Sequence, residues 1–392
     1  FSIFACKPNK IIKMNLKSLV ILLLCLLQHI NLNAQNAKPS NFSFEGDFRF
    51  RVEEDWNSRK PDGSYRDNRT RLRYRARVGA KYNFKEWATV GMRIRTGNPI
   101  KQQDPQLTLG DTSKEFGTLP IGFEKLYFQA KHKNISGWLG KNTFPFEKNN
   151  EQFWSDNVFP EGVFLKGKFS LNSKILNEVS ISGGHFIVVT SGESLGNDGY
   201  FEGFQSSFKL FDNRFKLFPS LYIFKNIPDI PDGAATFVFD YTIFNLGGKL
   251  KLLDKPLIHL DADFYTNLKD YQDNPNIPNR LKNETQGFVS GISYGKLKQK
   301  GDWFLKLTYN HLERYAAVDF LTQNDWARWD YSSFDSPDGR LTNYKGIEFV
   351  TAYKLNKSMN LVMKYYLVEQ LVPYGNALEN GNRIRFDLDV KF

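Results

Sequence analysis

The chain has 392 residues, a formal net charge of +11 and 15% aromatic residues, and its mean hydropathy is −0.47. So polar an average excludes a bundle of transmembrane helices, but it is compatible with a membrane barrel, in which half of every strand faces water. The arginines lie on predicted strands rather than in flexible tails. This argues against a nucleic-acid partner and favours an internal path for anions.

The first segment of the chain is typical of a secretory signal. Met14 and Lys17 precede an apolar run at 18–27, and a short polar stretch leads to Ala34, after which we expect cleavage. Residues 1–13 contain no Met, so we predict that translation starts at Met14. The predicted domains are a leader with its upstream residues, 1–34, and one outer-membrane barrel, 35–392.

Both cysteines, Cys6 and Cys25, lie before the predicted cleavage site. A lipoprotein anchored at Cys25 is the alternative, but Leu24 stands where a lipoprotein signal needs a small residue. The exported chain is then free of cysteine and needs no disulfide chemistry in an oxidising compartment. Its net charge is +7, which is the +11 of the whole chain less the four lysines of the leader.

The second predicted strand, 70–82, gives the clearest structural signal. Its sequence, TRLRYRARVGAKY, alternates between apolar side chains and a row that is almost wholly basic. A period of two means a β-strand with one apolar and one wet face, whereas a helix would scatter the arginines around its circumference. The strand is also about twice as long as an ordinary strand of about 5 to 6 residues. This length is typical of a strand that crosses a membrane.

The same pattern recurs to the end of the chain and predicts an all-β fold. The connectors are alternately short, as at 83–85, and long, as at 313–342. No apolar run after residue 34 approaches the length of a transmembrane helix. We therefore predict a transmembrane antiparallel up-and-down β-barrel of about 16 strands, within a range of 16 to 18. The strands are predicted at 42–52, 70–82, 86–96, 123–131, 135–142, 161–169, 176–188, 200–211, 215–225, 237–252, 256–266, 287–297, 302–312, 343–355, 359–369 and 382–392.

The last strand, NRIRFDLDVKF, alternates apolar and charged residues and ends on Phe392. A terminal strand of this kind resembles the signal that outer-membrane barrels present to the barrel assembly machinery. We therefore predict that Phe392 is an assembly signal. We also predict that this strand pairs with the first, 42–52, and leaves no exposed edge. A soluble edge strand that ends in Phe by chance is the alternative.

Charged side chains on the inward rows of these strands predict an electrostatic filter. We expect like charges of the first and last strands to meet at like heights, which gives a basic wall in the lumen above an acidic patch nearer the periplasm. Such a wall favours anions, while ion pairs that only brace the barrel are the alternative. The basic wall comprises Arg49, Arg51, Arg71, Arg73, Arg75, Arg77, Arg93, Arg95, Arg383 and Arg385, and the acidic patch comprises Glu45, Asp47, Asp387 and Asp389.

Several short motifs point to one family. Asp67-Asn68-Arg69 leads into R-x-R-x-R, Trp87 follows the short turn, and RIRTGNP (93–99), GKNTFPF (140–146) and WSDNVFPEG (154–162) come next. Together they resemble the putative porin family of Bacteroidota-type bacteria, which is similar to alginate-export and phosphate-selective porins. The resemblance is sharpest over 42–170. It implies a channel of sixteen to eighteen strands in a Gram-negative outer membrane, and it does not name a solute.

Catalytic and metal-binding alternatives rest on few residues. His259, Asp261 and Asp263 share one face of a strand, as a divalent metal site would require. Adjacent same-face residues of a strand are about 7 Å apart, which is too far to chelate one ion. An outer-membrane hydrolase would need Ser and His on the lipid-facing surface, and no strand shows that set. We therefore predict no catalytic residue, no metal site, no cofactor and no enzyme activity.

The pattern as a whole predicts an outer-membrane porin, a passive diffusion channel that favours small anionic solutes. The alternative within transport is a specific channel for acidic oligosaccharide or phosphate. A surface adhesion barrel that binds through its long loops and an outer-membrane hydrolase are alternatives from other classes. The expected partners are outer-membrane lipid, the barrel assembly machinery and the solute. A monomer and a homotrimer both fit the sequence.

Overall fold

The computed structural model describes residues 41–100, 103, 105–110, 117–192, 194–229, 237–326 and 341–392. The predicted leader and its cleavage site lie outside the described residues. Residues 42–392 form one compact unit. Within the described ranges, no helix is long and apolar enough to span a membrane.

Strands make up almost all of the regular structure. Three single turns of 3₁₀ helix, at Leu195–Asn197, Asn279–Leu281 and Asp319–Leu321, lie in connectors. The strands are β1 (Phe42–Arg59), β2 (Arg69–Lys85), β3 (Ala88–Thr96), β4 (Leu107–Thr108), β5 (Ile121–His132), β6 (Ile135–Lys141), β7 (Glu161–Ser170), β8 (Leu176–Val189), β9 (Gly199–Leu210), β10 (Phe215–Pro228), β11 (Val238–Asp254), β12 (Leu257–Asn267), β13 (Gln286–Gly295), β14 (Trp303–Leu312), β15 (Tyr344–Lys354), β16 (Met359–Gln370) and β17 (Asn380–Lys391).

Sixteen of these strands close into an antiparallel barrel. Each pairs with its neighbours along the chain, β3 pairs with β5, and β17 pairs with β1 to complete the ring. The predicted fold class, the sixteen strands and the closure between the first and last strands are confirmed. The two-residue strand β4 was not predicted. It pairs with Arg73 and Tyr74 of β2, beyond the end of β3.

The connectors alternate in length as predicted. One end of the barrel carries tight turns such as 86–87 and 133–134, and the other carries connectors such as 142–160 and 313–343. We call these the short-turn end and the long-loop end. The predicted turn at 83–85 is wrong by a few residues, because β2 continues to Lys85, which pairs with Ala88.

Alternate side chains of each strand face lipid and lumen. In β2, Leu72 and Val78 are 44% and 48% exposed, while Arg73 and Arg75 are each 7% exposed and point into the barrel. An apolar outer surface is what hydrocarbon requires of a membrane barrel. The predicted facing of this strand is therefore confirmed.

Candidate functional site

The lumen is divided by the connector between β6 and β7, residues 142–160, which we call the lumen loop. This loop folds into the barrel and reaches the opposite wall. The Glu147 N–H donates to Gln205 Oε1 on β9 at 2.7 Å, and Asn149 Nδ2 donates to the Gly248 carbonyl on β11 at 2.9 Å. The loop therefore separates the interior into two halves.

The half bounded by β6 to β12, which we call the aromatic half, is filled with aromatic side chains. Trp154 of the lumen loop stacks on Phe144 with ring centroids 4.5 Å apart, and Phe153 stacks on Tyr222 of β10 at 4.6 Å. Trp154 Nε1 donates to the Val158 carbonyl at 2.9 Å, so the polar atom of this buried ring is satisfied. The fully buried aromatic residues of this wall include Phe186, Phe201, Tyr222, Phe224, Tyr241 and Tyr265.

Two further connectors enter the barrel from the long-loop end. Gln323, in the connector after β14, donates its backbone N–H to the Glu151 carbonyl of the lumen loop at 3.1 Å. Gln103, in the connector after β3, donates through Nε2 to the Phe320 carbonyl at 2.8 Å. Three connectors therefore meet inside the barrel and support each other.

The opposite half, bounded by β16, β17, β1, β2, β3 and β5, is polar, and we call it the basic half. It contains a cavity of about 360 Å³. Eight of the residues that line this cavity are basic and six are acidic. They are Arg49, Arg51, Arg73, Arg75, Arg77, Lys364, Arg385 and Lys391, with Asp47, Glu151, Asp156, Asp325, Asp387 and Asp389.

The ten arginines of the predicted basic wall come together in the basic half, and every one lies within 4 Å of a carboxylate. Arg51 binds Asp387 through two hydrogen bonds of 2.7 and 2.8 Å. Arg49 binds Asp389 in the same bidentate way, with one bond of 2.9 Å. Bidentate pairs of this kind hold the guanidinium in a fixed orientation. The wall is therefore an ordered network of ion pairs.

Four carboxylates of this network lie outside the predicted acidic patch, and one of them, Glu53 of β1, pairs with Arg71. Glu124 of β5 accepts hydrogen bonds of 2.6 Å from both Arg77 and Arg93. Asp55, at the long-loop end of β1, accepts from Arg383 at 2.6 Å and from Arg69 at 2.9 Å. Asp325, in the connector after β14, pairs with Arg385. Glu124 had a signal in the sequence, because it shares its row of a predicted strand with the apolar residues Leu126, Phe128 and Ala130.

The expected separation of the basic wall from an acidic patch is wrong. The register of β1 and β17 places Arg49 opposite Asp389 and Arg51 opposite Asp387, so unlike charges meet. The other two members of the predicted patch, Glu45 and Asp47, are paired with Lys81 and Arg75 on β2. The closure register could not be read from either strand alone, and a shift of a few residues exchanges which charges face each other.

Closure places the predicted assembly signal over a glycine. Phe392 and Gly46 of β1 exchange two backbone hydrogen bonds, of 2.8 and 3.0 Å. The Phe392 ring lies so close to Gly46 that a Cβ atom there would meet it at 2.3 Å. Because Gly46 has no side chain, it leaves the space that the Phe392 ring occupies on the lipid-facing surface.

The pKa values of two buried carboxyls in the connectors are shifted in opposite directions. Burial raises the pKa of Glu151, and the nearby carboxylate of Asp156 raises it further. Burial acts on Asp325 in the same direction, but the positive charge of Arg385 outweighs it and holds the pKa of Asp325 well below its usual range. Asp325 therefore remains an anion beside Arg385, whereas Glu151 takes up a proton more readily than an ordinary glutamate.

The residues of the metal-binding alternative have other partners. Asp261 accepts a hydrogen bond from Lys306 Nζ at 3.1 Å, and Asp263 accepts one from Asn150 of the lumen loop at 2.7 Å. Across the described part of the chain, no group of three or more His, Cys, Asp and Glu side chains is placed to hold a metal ion. Asp263 instead helps to fix the lumen loop against β12, the strand that also carries His259.

Comparison with known proteins gives one family and a group of similar folds. The family described as “Putative porin” matches residues 31–238, which is more than half of the chain. No curated protein matches the sequence.

Among solved structures, the high-pH structure of OprB from Pseudomonas putida aligns with a TM-score of 0.54 and 13% identity, over 90% of this chain and 94% of that chain. OmpF from Salmonella typhi, solved in complex with daunomycin, aligns with a TM-score of 0.52 and 12% identity, over 90% of this chain and 97% of that chain. At such low identity the likeness shows a shared barrel fold.

Proposed function

Since this chain belongs to the family described as “Putative porin” and is therefore an outer-membrane porin channel, we propose that solutes diffuse passively along its basic half and that small anions are favoured. The aromatic half offers no comparable path, because its wall residues pack in direct contact with the lumen loop. Diffusion through the barrel is then confined to one side of its interior.

The observation that carries this proposal is the charge of two cavities along the basic half. Of the described residues that line the larger one, eight are basic and six are acidic, a formal excess of two positive charges. A second cavity, of about 330 Å³, is lined by Lys81, Arg93 and Lys125 and by one acidic residue, Glu45. Positive walls in a confined space raise the local concentration of anions.

A third cavity, beneath the lumen loop near β14 to β16, supplies a contrast. It has a volume of about 480 Å³ and equal numbers of basic and acidic lining residues. The positive excess is therefore a property of the basic half. The basic residues of the third cavity are Lys148, Lys306 and Lys364, and its acidic residues are Glu151, Asp156 and Glu348.

Ion pairing makes the expected preference partial. Within the described part of the chain, the ten arginines of the basic wall pair with seven carboxylates, so much of their positive charge is compensated. These carboxylates are Asp47, Glu53, Asp55, Glu124, Asp325, Asp387 and Asp389. Screening limits the reach of each charge to about 8 Å at physiological salt. Cations should therefore still pass, and the preference for anions should grow as the salt concentration falls.

The proposal is tested by the reversal potential of the channel in a planar bilayer under a potassium chloride gradient. Arg75→Gln removes one positive charge and should shift the reversal potential toward cations. Arg75→Gln combined with Asp47→Asn removes an ion pair without changing the net charge, so it should return the reversal potential close to the wild-type value. If the single and double variants shift equally, or neither shifts at low salt, the arginines brace the barrel and the filter proposal fails.

We propose further that the chain is exported by its leader, residues 1–34, and that the barrel assembly machinery recognises Phe392. The packing of the Phe392 ring against Gly46 supports a role where β1 and β17 pair to close the barrel. Deletion of Phe392 should lower the amount of folded barrel in the outer membrane while export to the periplasm continues. Normal surface levels of the truncated chain would contradict the assembly role.

A further inference from the structure

The lipid-facing surface of β10 to β12 carries charged side chains at its long-loop end. Lys225 lies near the end of β10, Asp240 lies near the start of β11, and Lys269 lies two residues after the end of β12. The Lys225 and Lys269 Nζ atoms lie 2.6 and 3.8 Å from the same carboxylate oxygen of Asp240. We call these three residues the outer lysine patch.

The patch faces lipid and not the lumen. Lys225 pairs across the sheet with Tyr200 of β9. Glu202 is two residues farther along β9 and lies on the same face as Tyr200. Phe204, the next residue of that row, is 51% exposed on the outside of the barrel. Side chains of one strand that are two residues apart share a face, so Lys225 has the same outward direction as Phe204.

Apolar side chains border the patch on both sides along the barrel. Phe204 and Leu268 lie toward the short-turn end, and Leu268, which is 62% exposed, donates its N–H to the Thr242 carbonyl. Val238, which is 59% exposed, lies toward the long-loop end. The charges therefore lie at the long-loop edge of the apolar surface, where the connector that contains Lys269 leaves β12. A charged group in such a place is costly unless it is paired or reaches a polar lipid headgroup.

Among the residues that the structure describes, the pairing within the patch leaves one positive charge over. Asp240 is shared by two ammonium groups, and the neighbouring His185 and Glu202 form their own pair at 3.1 Å. The side chains of Lys225, Asp240 and Lys269 are all about one third exposed, so both ammonium groups remain accessible from the membrane. A phosphate group in the lipid headgroup layer would complete this arrangement.

We propose that the outer lysine patch binds the phosphate headgroup of an anionic lipid, with Lys225 and Lys269 as its two cationic contacts. Asp240 pairs with both lysines and competes with the headgroup for them. The site is external and independent of the lumen, so it is separate from the proposed selectivity of the channel.

A matched control lies on the same face of the barrel. Lys345 of β15 and Glu369 of β16 are also outward-facing, near the long-loop end, and pair one to one at 3.4 Å. This pair has no excess charge. Replacement of Lys345 by Gln therefore removes an outward lysine without touching the proposed site.

The test counts phosphatidylglycerol molecules retained by the full barrel, by native mass spectrometry from detergent micelles, with phosphatidylcholine as the zwitterionic comparison. Lys225→Gln combined with Lys269→Gln should weaken phosphatidylglycerol retention about 25-fold, since each lysine near anionic lipid contributes about 1 kcal/mol. Lys345→Gln and added inorganic phosphate should leave retention unchanged. Asp240→Asn should strengthen retention, because it frees both lysines for the headgroup.

Several results would overturn the proposal. Retention could be equal in the double variant and the wild type, phosphatidylcholine could be retained as well as phosphatidylglycerol, or Lys345→Gln could reduce retention as much as the double variant. Weaker retention in Asp240→Asn would show that the carboxylate itself is needed, which also contradicts the assigned roles. Channel conductance, measured in parallel, confirms that each variant is folded.

Discussion

The two halves of the lumen are built from strands of the same kind but are stabilised by different forces. In the basic half, inward arginines of β2 are held by carboxylates such as Asp47 and Glu124. In the aromatic half, inward side chains of β10 such as Tyr222 and Phe224 are fully buried against the lumen loop. One wall therefore faces water and the other forms a hydrophobic core, although both lie inside one barrel.

The difference between the halves shows how the surroundings of a barrel strand determine its pattern of polar and apolar residues. The strand β2 faces lipid and water and alternates strictly, whereas β10 contains the run LFPSLYIF at 217–224, which is apolar on both faces. A strand that is buried on both faces reads as a nearly continuous apolar run. In a membrane barrel, such a run marks the wall on which an inward connector packs.

The largest effect is expected from Trp154→Ala in the aromatic half. Trp154 is 2% exposed and stacks on Phe144, and loss of a buried Trp side chain costs about 3 to 5 kcal/mol. Unfolding from lipid vesicles by urea measures this cost, and the loosened lumen loop should raise single-channel conductance. Trp87→Ala is the control, because Trp87 lies on a short turn and is 53% exposed. Equal destabilisation by both changes would show that the aromatic half is not a packed core.

In the basic half, Glu124→Gln should destabilise the barrel by about 3 kcal/mol, because it leaves buried guanidinium groups without their carboxylate. Glu124 is 3% exposed and contacts Arg77 and Arg93. Unlike Trp154→Ala, this change should also move the reversal potential toward anions. A loss of stability without any change in ion preference would mean that the basic half does not border the solute path.

A change on the outer surface should be smaller. Val78→Arg places a charge on the lipid face of β2 and should cost about 2 kcal/mol if the residue lies near the middle of the bilayer. Thr89→Arg on β3 is the comparison, since Thr89 lies on the inward row of its strand and donates its hydroxyl to Asn83. Folding titrations in lipid vesicles measure both costs. The reverse order of the two costs would contradict the assigned faces of these strands.

The smallest effect concerns the connector beside the aromatic half and depends on pH. Burial, and secondly the charge of Glu313, raise the pKa of Glu284 to about 7 from its usual 4.5. The folded state then favours the protonated form. This contribution to stability is fully present below pH 4.5 and is lost as the pH rises through about 7.

Glu284→Gln should therefore be more stable than the wild type at pH 8 and should lose that advantage at pH 4. Thermal unfolding at the two pH values measures the difference. The same advantage at both pH values would show that the carboxyl titrates normally.

The strands could be predicted because the alternation that identifies a strand lies within its own sequence. The alternation in β2 and β17 identifies both faces without knowledge of any neighbour. The charge pairs could not be predicted in the same way. Whether Asp387 meets Asp47 or Arg51 depends on the closure register, which is a relation between strands more than 300 residues apart.

The inward position of the lumen loop could not be predicted from its own sequence either. Its motif WSDNVFPEG is visible in the sequence, but its partners lie on β9 to β12 and in the connector after β14. Nothing local distinguishes a connector that turns inward from one that projects outward. The aromatic run on β10 is the signal that, in combination with the Trp and Phe residues of the loop, indicates the inward packing.

The central claim is that ions cross through the basic half and not through the aromatic half. Since both native cysteines precede the predicted cleavage site, single cysteines can be placed in either half and treated with a negatively charged methanethiosulfonate during single-channel recording. Asn360→Cys lies on the cavity of the basic half, and Ser220→Cys, a near-isosteric change, lies on β10 at 3% exposure. We predict a stepwise fall in conductance for Asn360→Cys and no change for Ser220→Cys. A fall for Ser220→Cys, with none for Asn360→Cys, would contradict the account.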